Sequence, residues 1–254
     1  VLFAGFSGLG TQNHQAEMYI PAFTAHPGFV ASAVAGSKAA ADLLEVPYVE
    51  DFRTALEDCD LVCVCTDLAD RVLTVTAALA AGRHVLIDKP MALSVTDCDA
   101  IVSAAEGTGL VCLPAHHWRF HSAVRSAAAA VAAGRVGLPW NVQADFLVAG
   151  GPPCPAGELV NFGAYPLDVI QAITGLAVVD AYAIAAADGF SVLYLTYEHG
   201  MTATVTVGRG PELDGGPGMG LHRYRISGSH GVLAVDASKP GFTVRSPQGR
   251  RVDW

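Results

Sequence analysis

The chain of 254 residues holds only three lysines, Lys38, Lys89 and Lys239, and one of them directly follows an apolar run in Asp88-Lys89-Pro90. A solvated surface charge is a poor account of that placement. Ligands of an open parallel sheet bind at the carboxyl ends of its strands, and Pro90 stiffens the turn that would present the ammonium there. Asp88 is expected to hold this ammonium, with a buried structural ion pair as the alternative. A second cluster, Gly5-Phe6-Ser7-Gly8-Leu9-Gly10, lies between an apolar strand and a helix, where a tight turn offers backbone N–H groups to a pyrophosphate. Ser7 stands where the second glycine of GxGxxG is expected, so the turn alone is a weak signal and a ligand-free glycine turn stays open. At the end of the second strand, Ala35-Gly36-Ser37-Lys38 has no carboxylate to receive ribose hydroxyls or repel a 2'-phosphate. Ser37 can donate a hydrogen bond and Lys38 can supply charge, which favours NADP over NAD. The plain alternative for Lys38 is an exposed first-turn residue.

These groups need a frame to place them. The runs VLFAGF, FVASAVAG, LVCVCT and HVLIDK read as buried strands, separated by helical segments over 14–25, 38–44 and 70–81. Such alternation implies parallel strands with crossover helices. A helix over 95–106 then leads to a further strand at 110–113. The second half changes character: a helix over 122–133, a strand over 140–148, a Gly/Pro-rich loop over 150–157 and a helix over 162–174. Apolar or alternating runs follow near 178–186, 191–198, 201–207, 223–227, 232–235 and 242–245. Turns such as Glu198-His199-Gly200 and Ser229-His230-Gly231 between them predict a mainly antiparallel sheet. Residues 211–220 read as a glycine-rich loop, with a lid over a ligand as the alternative.

Composition narrows the function classes. Hydrophobic residues at 52% and charged residues at 15% suit a compact, core-rich chain. A net charge of -9 without a basic cluster argues against nucleic acid as a partner, since phosphate neutralisation drives such binding. The sequence has no charge-free apolar run of about 18 residues, which argues against a membrane span. No charged-then-apolar leader opens it, and Val1 begins directly in an apolar strand, so a natural start upstream is expected. Cys59, Cys63, Cys65, Cys98, Cys112 and Cys154 lack CxxC spacing and read as reduced core residues, which implies a cytoplasmic protein. His116, His117 and His121 invite a metal, but adjacent histidines on a strand point apart and no ligand array accompanies them, so no metal is expected.

In this order, Gly5-Phe6-Ser7-Gly8-Leu9-Gly10, Asp88-Lys89-Pro90, Trp118-Arg119-Phe120 and the block Glu158-Leu159-Val160-Asn161-Phe162-Gly163-Ala164-Tyr165-Pro166-Leu167-Asp168 resemble the motifs of the Gfo/Idh/MocA oxidoreductases. The resemblance runs from Val1 to the final strands. It implies an α/β Rossmann domain with a parallel sheet over 1–118, then an α+β domain with a large, mainly antiparallel open sheet over 119–254. That second domain would bind substrate and build a homodimer or homotetramer. Carried over by position, Lys89 matches the family lysine beside nicotinamide and substrate, and Tyr165 falls where branches use His or Tyr as acid/base. The cofactor is expected to meet Gly5, Phe6, Ser7, Gly8, Leu9, Gly36, Ser37, Lys38, Thr66, Asp67, Asp88, Lys89 and Arg119. The substrate is expected to meet His117, Asn161, Tyr165 and Asp168. Asp88 for Glu, Asn161 for Asp and Ser7 for Gly depart from the family pattern.

The implied chemistry is a dehydrogenase or reductase acting on a secondary alcohol or ketone of a sugar, nucleotide sugar or cyclic polyol, a small molecule in any case. An unperturbed tyrosine is a poor base near neutrality, but an adjacent lysine cation favours its phenolate, so Lys89 and Tyr165 can cooperate; Lys89 alone as proton donor is the alternative. Tyr165 also reads as an aromatic on the apolar face of its helix, three residues from Asp168 and so on the same side. Arg119 contacts cofactor or substrate oxygens, or else pairs with a carboxylate between the domains, and His117 is placed to hydrogen-bond a polyol. Two other readings share the fold: an imine reductase, and a dinucleotide-binding sensor or scaffold without turnover.

Overall fold

A computed structural model describes residues 1–7, 13–185, 189–210, 218–238, 242–245 and 251–253. The chain divides into two compact units, Val1–Ala115 and His116–Trp254. The division falls earlier than the expected boundary after Trp118. The reason is local: the 3-10 turn His117–Phe120 packs on helices of the second unit, and His116 and Arg119 both bond to Asp168 there.

In the first unit, strands β1 (Leu2–Ala4), β2 (Ala33–Ala35), β3 (Tyr48–Val49), β4 (Leu61–Val64), β5 (His84–Ile87) and β6 (Cys112–Pro114) form a parallel sheet in the order β3-β2-β1-β4-β5-β6. Helices α1 (Ile20–Ala25, entered through a π-helical turn at Gln15–Tyr19), α2 (Lys38–Leu44), α3 (Leu68–Ala80) and α4 (Val95–Ala105) connect them. Alternate residues of each short strand feed opposite faces. Phe3, Val34 and Cys63 join Tyr19 and Ile20 on one side, while Leu2, Ala4, Val62 and Val64 join Val75, Leu79 and Ile101 on the other. Both faces are covered, which is why these strands read as continuous apolar runs. The expected second strand is shorter than FVASAVAG suggested, and β3 escaped notice because it is two residues long and not buried. Ser37 and Ser94 cap α2 and α4, each hydroxyl accepting from an N–H three residues on.

The strand order reverses between β1 and β4, leaving a crevice at their carboxyl ends. Gly5 sits there at φ +82°, where a Cβ would come within 2.7 Å of the Thr66 backbone. Its N–H donates to the Ala35 carbonyl at 3.0 Å. No side chain fits this crossing of three strand ends.

The second unit holds an eight-stranded sheet in the order β14-β13-β12-β11-β7-β10-β9-β8: β7 (Pro139–Ala149), β8 (Val178–Ala185), β9 (Ser191–Tyr197), β10 (Thr202–Gly210), β11 (Gly218–Gly228), β12 (Gly231–Asp236), β13 (Phe242–Arg245) and β14 (Arg251–Asp253). Every pairing is antiparallel except β7 with β10. Helices α5 (Ser122–Ala132), α6 (Glu158–Phe162) and α7 (Ala164–Thr174) cover one face. Val124, Val169 and Ile170 pack there against Val142, Phe146, Leu195, Val205 and Ile226, each of these apolar side chains contributing about 1.5–3 kcal/mol on burial. The predicted helix over 162–174 is α7, and the short α6 precedes it across Gly163, where a Cβ would meet the Leu159 carbonyl oxygen at 2.6 Å. Of the glycine-rich stretch, 218–220 open β11 and 211–217 lie outside the described residues.

Replacing Gly5 by alanine is expected to lower the unfolding free energy by about 2 kcal/mol, because both the positive φ and the Thr66 contact penalise a Cβ. Urea titration reads this as an earlier midpoint; an unmoved midpoint would mean the crossing has room to spare.

Candidate active site

The first unit gathers most of the expected cofactor residues along one edge of its sheet. Gly36, at φ +96°, faces Gly5 so closely that a Cβ would lie 3.3 Å from the Gly5 Cα, and Phe6 packs beside them on the core. The Ser7 N–H donates to the Cys65 carbonyl at 2.9 Å, so Ser7 is tied to the end of β4 and its amide is not a phosphate donor. Gly8 and Leu9 lie outside the described residues. Ser37 accepts from the Ala40 N–H and keeps its own proton to donate; Lys38 is exposed on the first turn of α2. Thr66 and Asp67 follow Cys65 just after β4, Asp67 exposed and the Thr66 hydroxyl buried without a partner among the described residues. A glycine-lined crevice at the reversal of strand order, with an orphaned hydroxyl at its rim, fits a dinucleotide.

Lys89 follows β5 and is almost fully buried. Asp88 corrects the expectation attached to it. The carboxylate neither lies open to a cofactor nor turns to the Lys89 ammonium; it is wholly buried, and its Oδ1 accepts from His14 Nδ1 at 2.9 Å and Tyr19 Oη at 2.7 Å. Burial alone would raise its pKa, but the bonds from His14 and Tyr19 and the Arg71 charge outweigh that and hold the carboxyl below its usual range. The same burial, together with the Asp88 charge, pushes the Tyr19 phenol far up, so it stays a donor.

Arg71 escaped the sequence reading. Its guanidinium donates to the carbonyls of Asp88 (2.9 Å), Pro90 (2.5 Å) and Thr66 (2.7 Å), tying the ends of β4 and β5 together on both sides of Lys89. The signal was present: Arg71, Val75, Ala78 and Leu79 share the buried stripe of α3, and an arginine on such a stripe needs partners.

The second unit holds the remaining residues. The three histidines lie on and around a 3-10 turn where a strand was expected. Asp168 of α7 accepts from Arg119 Nε at 3.1 Å and Nη2 at 2.5 Å, and lies 3.3 Å from His116 Nδ1. Burial would raise the Asp168 pKa, yet these two partners keep it low. Arg119 thus pairs with a carboxylate, but one of its own unit and not one between domains. Tyr165 is buried on the same helix, stacked on Phe146 with ring centroids 5.2 Å apart and edge-on to His117 at 5.3 Å. Asn161 is buried and donates to Glu158 Oε2 at 3.3 Å. Glu158 in turn receives Arg209 Nε at 2.6 Å, and Arg209 reaches the Gly150 carbonyl, pinning the Gly/Pro-rich loop. Among the described residues no group of three His, Cys, Asp or Glu is placed to hold a metal ion.

His222, also missed, lies wholly buried on β11, edge-on to Trp118 at 4.3 Å and Phe146 at 4.7 Å, with Nε2 2.6 Å from the Tyr224 hydroxyl. Burial, and then the nearby His121 and His117, push its pKa down to about 3, so it is neutral at pH 7. Sequence offered no signal beyond a His in an alternating strand.

Residues 1–116 match the model of an oxidoreductase family with an NAD-binding Rossmann fold. Over 91% of its length the chain is 27% identical to the dTDP-3,4-didehydro-2,6-dideoxy-alpha-D-glucose 3-reductase of Streptomyces violaceoruber, spanning 74% of that protein. Among solved structures it resembles a UDP-N-acetylglucosamine 3-dehydrogenase from Acidithiobacillus ferrooxidans (TM-score 0.78, 20% identity, 100% of this chain and 81% of that one). It also resembles an oxidoreductase from Agrobacterium radiobacter solved with NAD+, L-tartaric acid and magnesium (TM-score 0.80, 18% identity, 100% of this chain and 78% of that one). At these identities the two structures establish a shared fold.

Because His222 falls from an ordinary 6.5 to about 3 on folding, the unfolded chain takes up a proton that the folded chain refuses between those values. Stability therefore declines as pH falls through that window. His222→Gln is expected to shrink the loss of stability between pH 7 and pH 5 by about 2 kcal/mol, measured by urea unfolding at both pH values. Identical pH dependence in variant and wild type would remove His222 as the cause.

Proposed function

We propose that this chain, which belongs to the Gfo/Idh/MocA family of oxidoreductases, interconverts a secondary alcohol and a ketone on the ring of a nucleotide-linked sugar. The observation that carries the reading is Lys89: a buried lysine at the carboxyl end of β5, in a sheet of dinucleotide-binding order, clamped on both sides by Arg71. The sugar class rests on likeness to a dTDP-ketosugar 3-reductase across 91% of the chain and on the fold shared with a UDP-sugar 3-dehydrogenase.

A bound nicotinamide supplies or accepts the hydride. The chain's own task is the proton. In the reducing direction, oxygen gains negative charge as the carbonyl carbon receives hydride, and a donor within about 3 Å must neutralise it. By its place in the motif Lys89 is assigned to that oxygen as the stabilising cation, and by the same motif Tyr165 is the candidate proton donor. In the oxidising direction the candidate phenol, as phenolate, takes the proton back. His117, in ring contact with Tyr165, is assigned to a neighbouring sugar hydroxyl.

Gly5, Gly36 and Thr66 would hold the dinucleotide, and Ser37 and Lys38 its adenosine ribose. With no acid at the end of β2 and an exposed ammonium on α2, NADP is the assigned coenzyme. The sheet face away from α5 and α7 carries exposed Tyr182, Ile184 and Tyr194, which supports a homodimer or homotetramer built through that face. All six cysteines are free and four are buried, which supports a reducing, cytoplasmic setting.

The test is oxidation of NADPH, followed by its absorbance, against a panel of dTDP- and UDP-linked ketosugars. Lys89→Met and Tyr165→Phe are each expected to lower kcat by about 10²- to 10⁴-fold. Lys38→Ala should cut the preference for NADPH over NADH by about tenfold, roughly 1.4 kcal/mol of lost charge pairing. Tight NADPH binding with no turnover on any sugar would replace the enzyme by a sensor. Unchanged kcat in Lys89→Met would remove the lysine from the reaction.

A further inference from the structure

We infer that His14 and Tyr19 are positioning residues for Lys89, acting through the buried carboxylate of Asp88; the inference rests on the role assigned to Lys89 above. Asp88 has no exposed surface, and an ionised carboxylate in that position is tolerable only while donors face it. Both donors present come from one short segment, the turn of helix that precedes α1. An ionised carboxylate can only accept, so the His14 proton sits on Nδ1, the nitrogen 2.9 Å from Oδ1. Oδ2 has no partner among the described residues, so the whole anchorage of the side chain falls on His14 and Tyr19.

The peptide that carries Lys89 is therefore gripped twice. From the α1 side, His14 and Tyr19 hold the side chain of the residue before it. From the α3 side, Arg71 holds the carbonyls of the residues before and after it. Arg71 fixes the main chain against α3 and its charge favours the carboxylate, but it donates no hydrogen bond to the carboxylate oxygens. His14 and Tyr19 supply those hydrogen bonds, and they lie only a few residues beyond the glycine-rich turn. One crossover thus carries both the nucleotide turn and the brace of the lysine. Gln15, between the two, anchors the segment to the sheet: its Nε2 donates to the Cys63 carbonyl at 3.0 Å and its Oε1 accepts from Cys63 Sγ at 3.1 Å.

Lysine labelling tests this without any cofactor. The ligand-free chain is treated with trace acetic anhydride, and the acetylation rates of Lys89 and Lys38 are compared by peptide mass spectrometry, the exposed Lys38 serving as internal standard. Tyr19→Phe removes one hydroxyl and keeps the ring; it is expected to raise the Lys89 rate relative to Lys38 by about tenfold through local opening. His14→Phe should do at least as much. His14→Asn, whose amide can donate from nearly the Nδ1 position, should return the rate to within about twofold of wild type. In turnover, Tyr19→Phe should lower kcat more than it raises the KM for the coenzyme. A Lys89 rate unchanged in Tyr19→Phe overturns the inference, whether or not His14→Phe folds, and so does a His14→Asn rate matching that of a folded His14→Phe. If the wild type never turns over a sugar, the proposed function fails while the labelling still decides this point.

Discussion

A charged carboxylate shut away from water has to be surrounded by donors, and the carboxyl end of β5 is arranged around that demand. Asp88 is fully buried, kept ionised by His14 and Tyr19, and the peptide it belongs to is tied by Arg71 to the end of β4. None of these groups is interchangeable with an apolar residue of like size, because removing one leaves another buried and unsatisfied. Lys89 inherits its position from this constraint. Its own sequence neighbours, an acid and a proline, do not explain the placement; residues from the first crossover and from α3 do.

The second unit solves a similar problem in a different way. Two carboxylates, Asp168 and Glu158, are nearly buried on adjacent helices, and each takes an arginine. Arg119 and His116 fasten the turn at the start of the unit to α7, and Arg209 fastens the loop after β7 to α6. Between these fixed points lies an aromatic cluster of Trp118, Phe146, Tyr165 and His222. The ring contacts set the orientation of the tyrosine assigned to the proton. A neutral histidine in that cluster adds no charge beside it, and its depressed pKa keeps it so through the physiological range.

How much of this was legible depended on the range of the interaction. Strand and helix identity in the first unit was readable because covering both sheet faces forces continuous apolar runs, and crossover helices force the amphipathic stretches between them. Lys89 and Tyr165 stood out by residue type and motif. The role expected of Asp88 did not survive, since a carboxylate beside a lysine in sequence is pulled by whichever donors the fold brings closer, and His14 lies 74 residues away along the chain. Asp168 was read as facing a ligand, and Arg119 as facing a ligand or pairing with a carboxylate; the two face each other. Arg71, Glu158, Arg209 and His222 were passed over for one reason: a polar residue in a helix or strand pattern looks the same whether it meets solvent or a buried partner.

The amino-acid sequence by itself determined the local periods, and through them the two architectures, the glycine crossing at Gly5 and the lysine at the end of an apolar strand. These follow from steric and hydrophobic rules that act over a few residues. The tertiary structure alone decided which charge meets which: Asp88 with His14 and Tyr19, Asp168 with Arg119, Glu158 with Arg209. Electrostatic partners are chosen by distance in space and by the cost of burial, and neither quantity exists until the chain has folded.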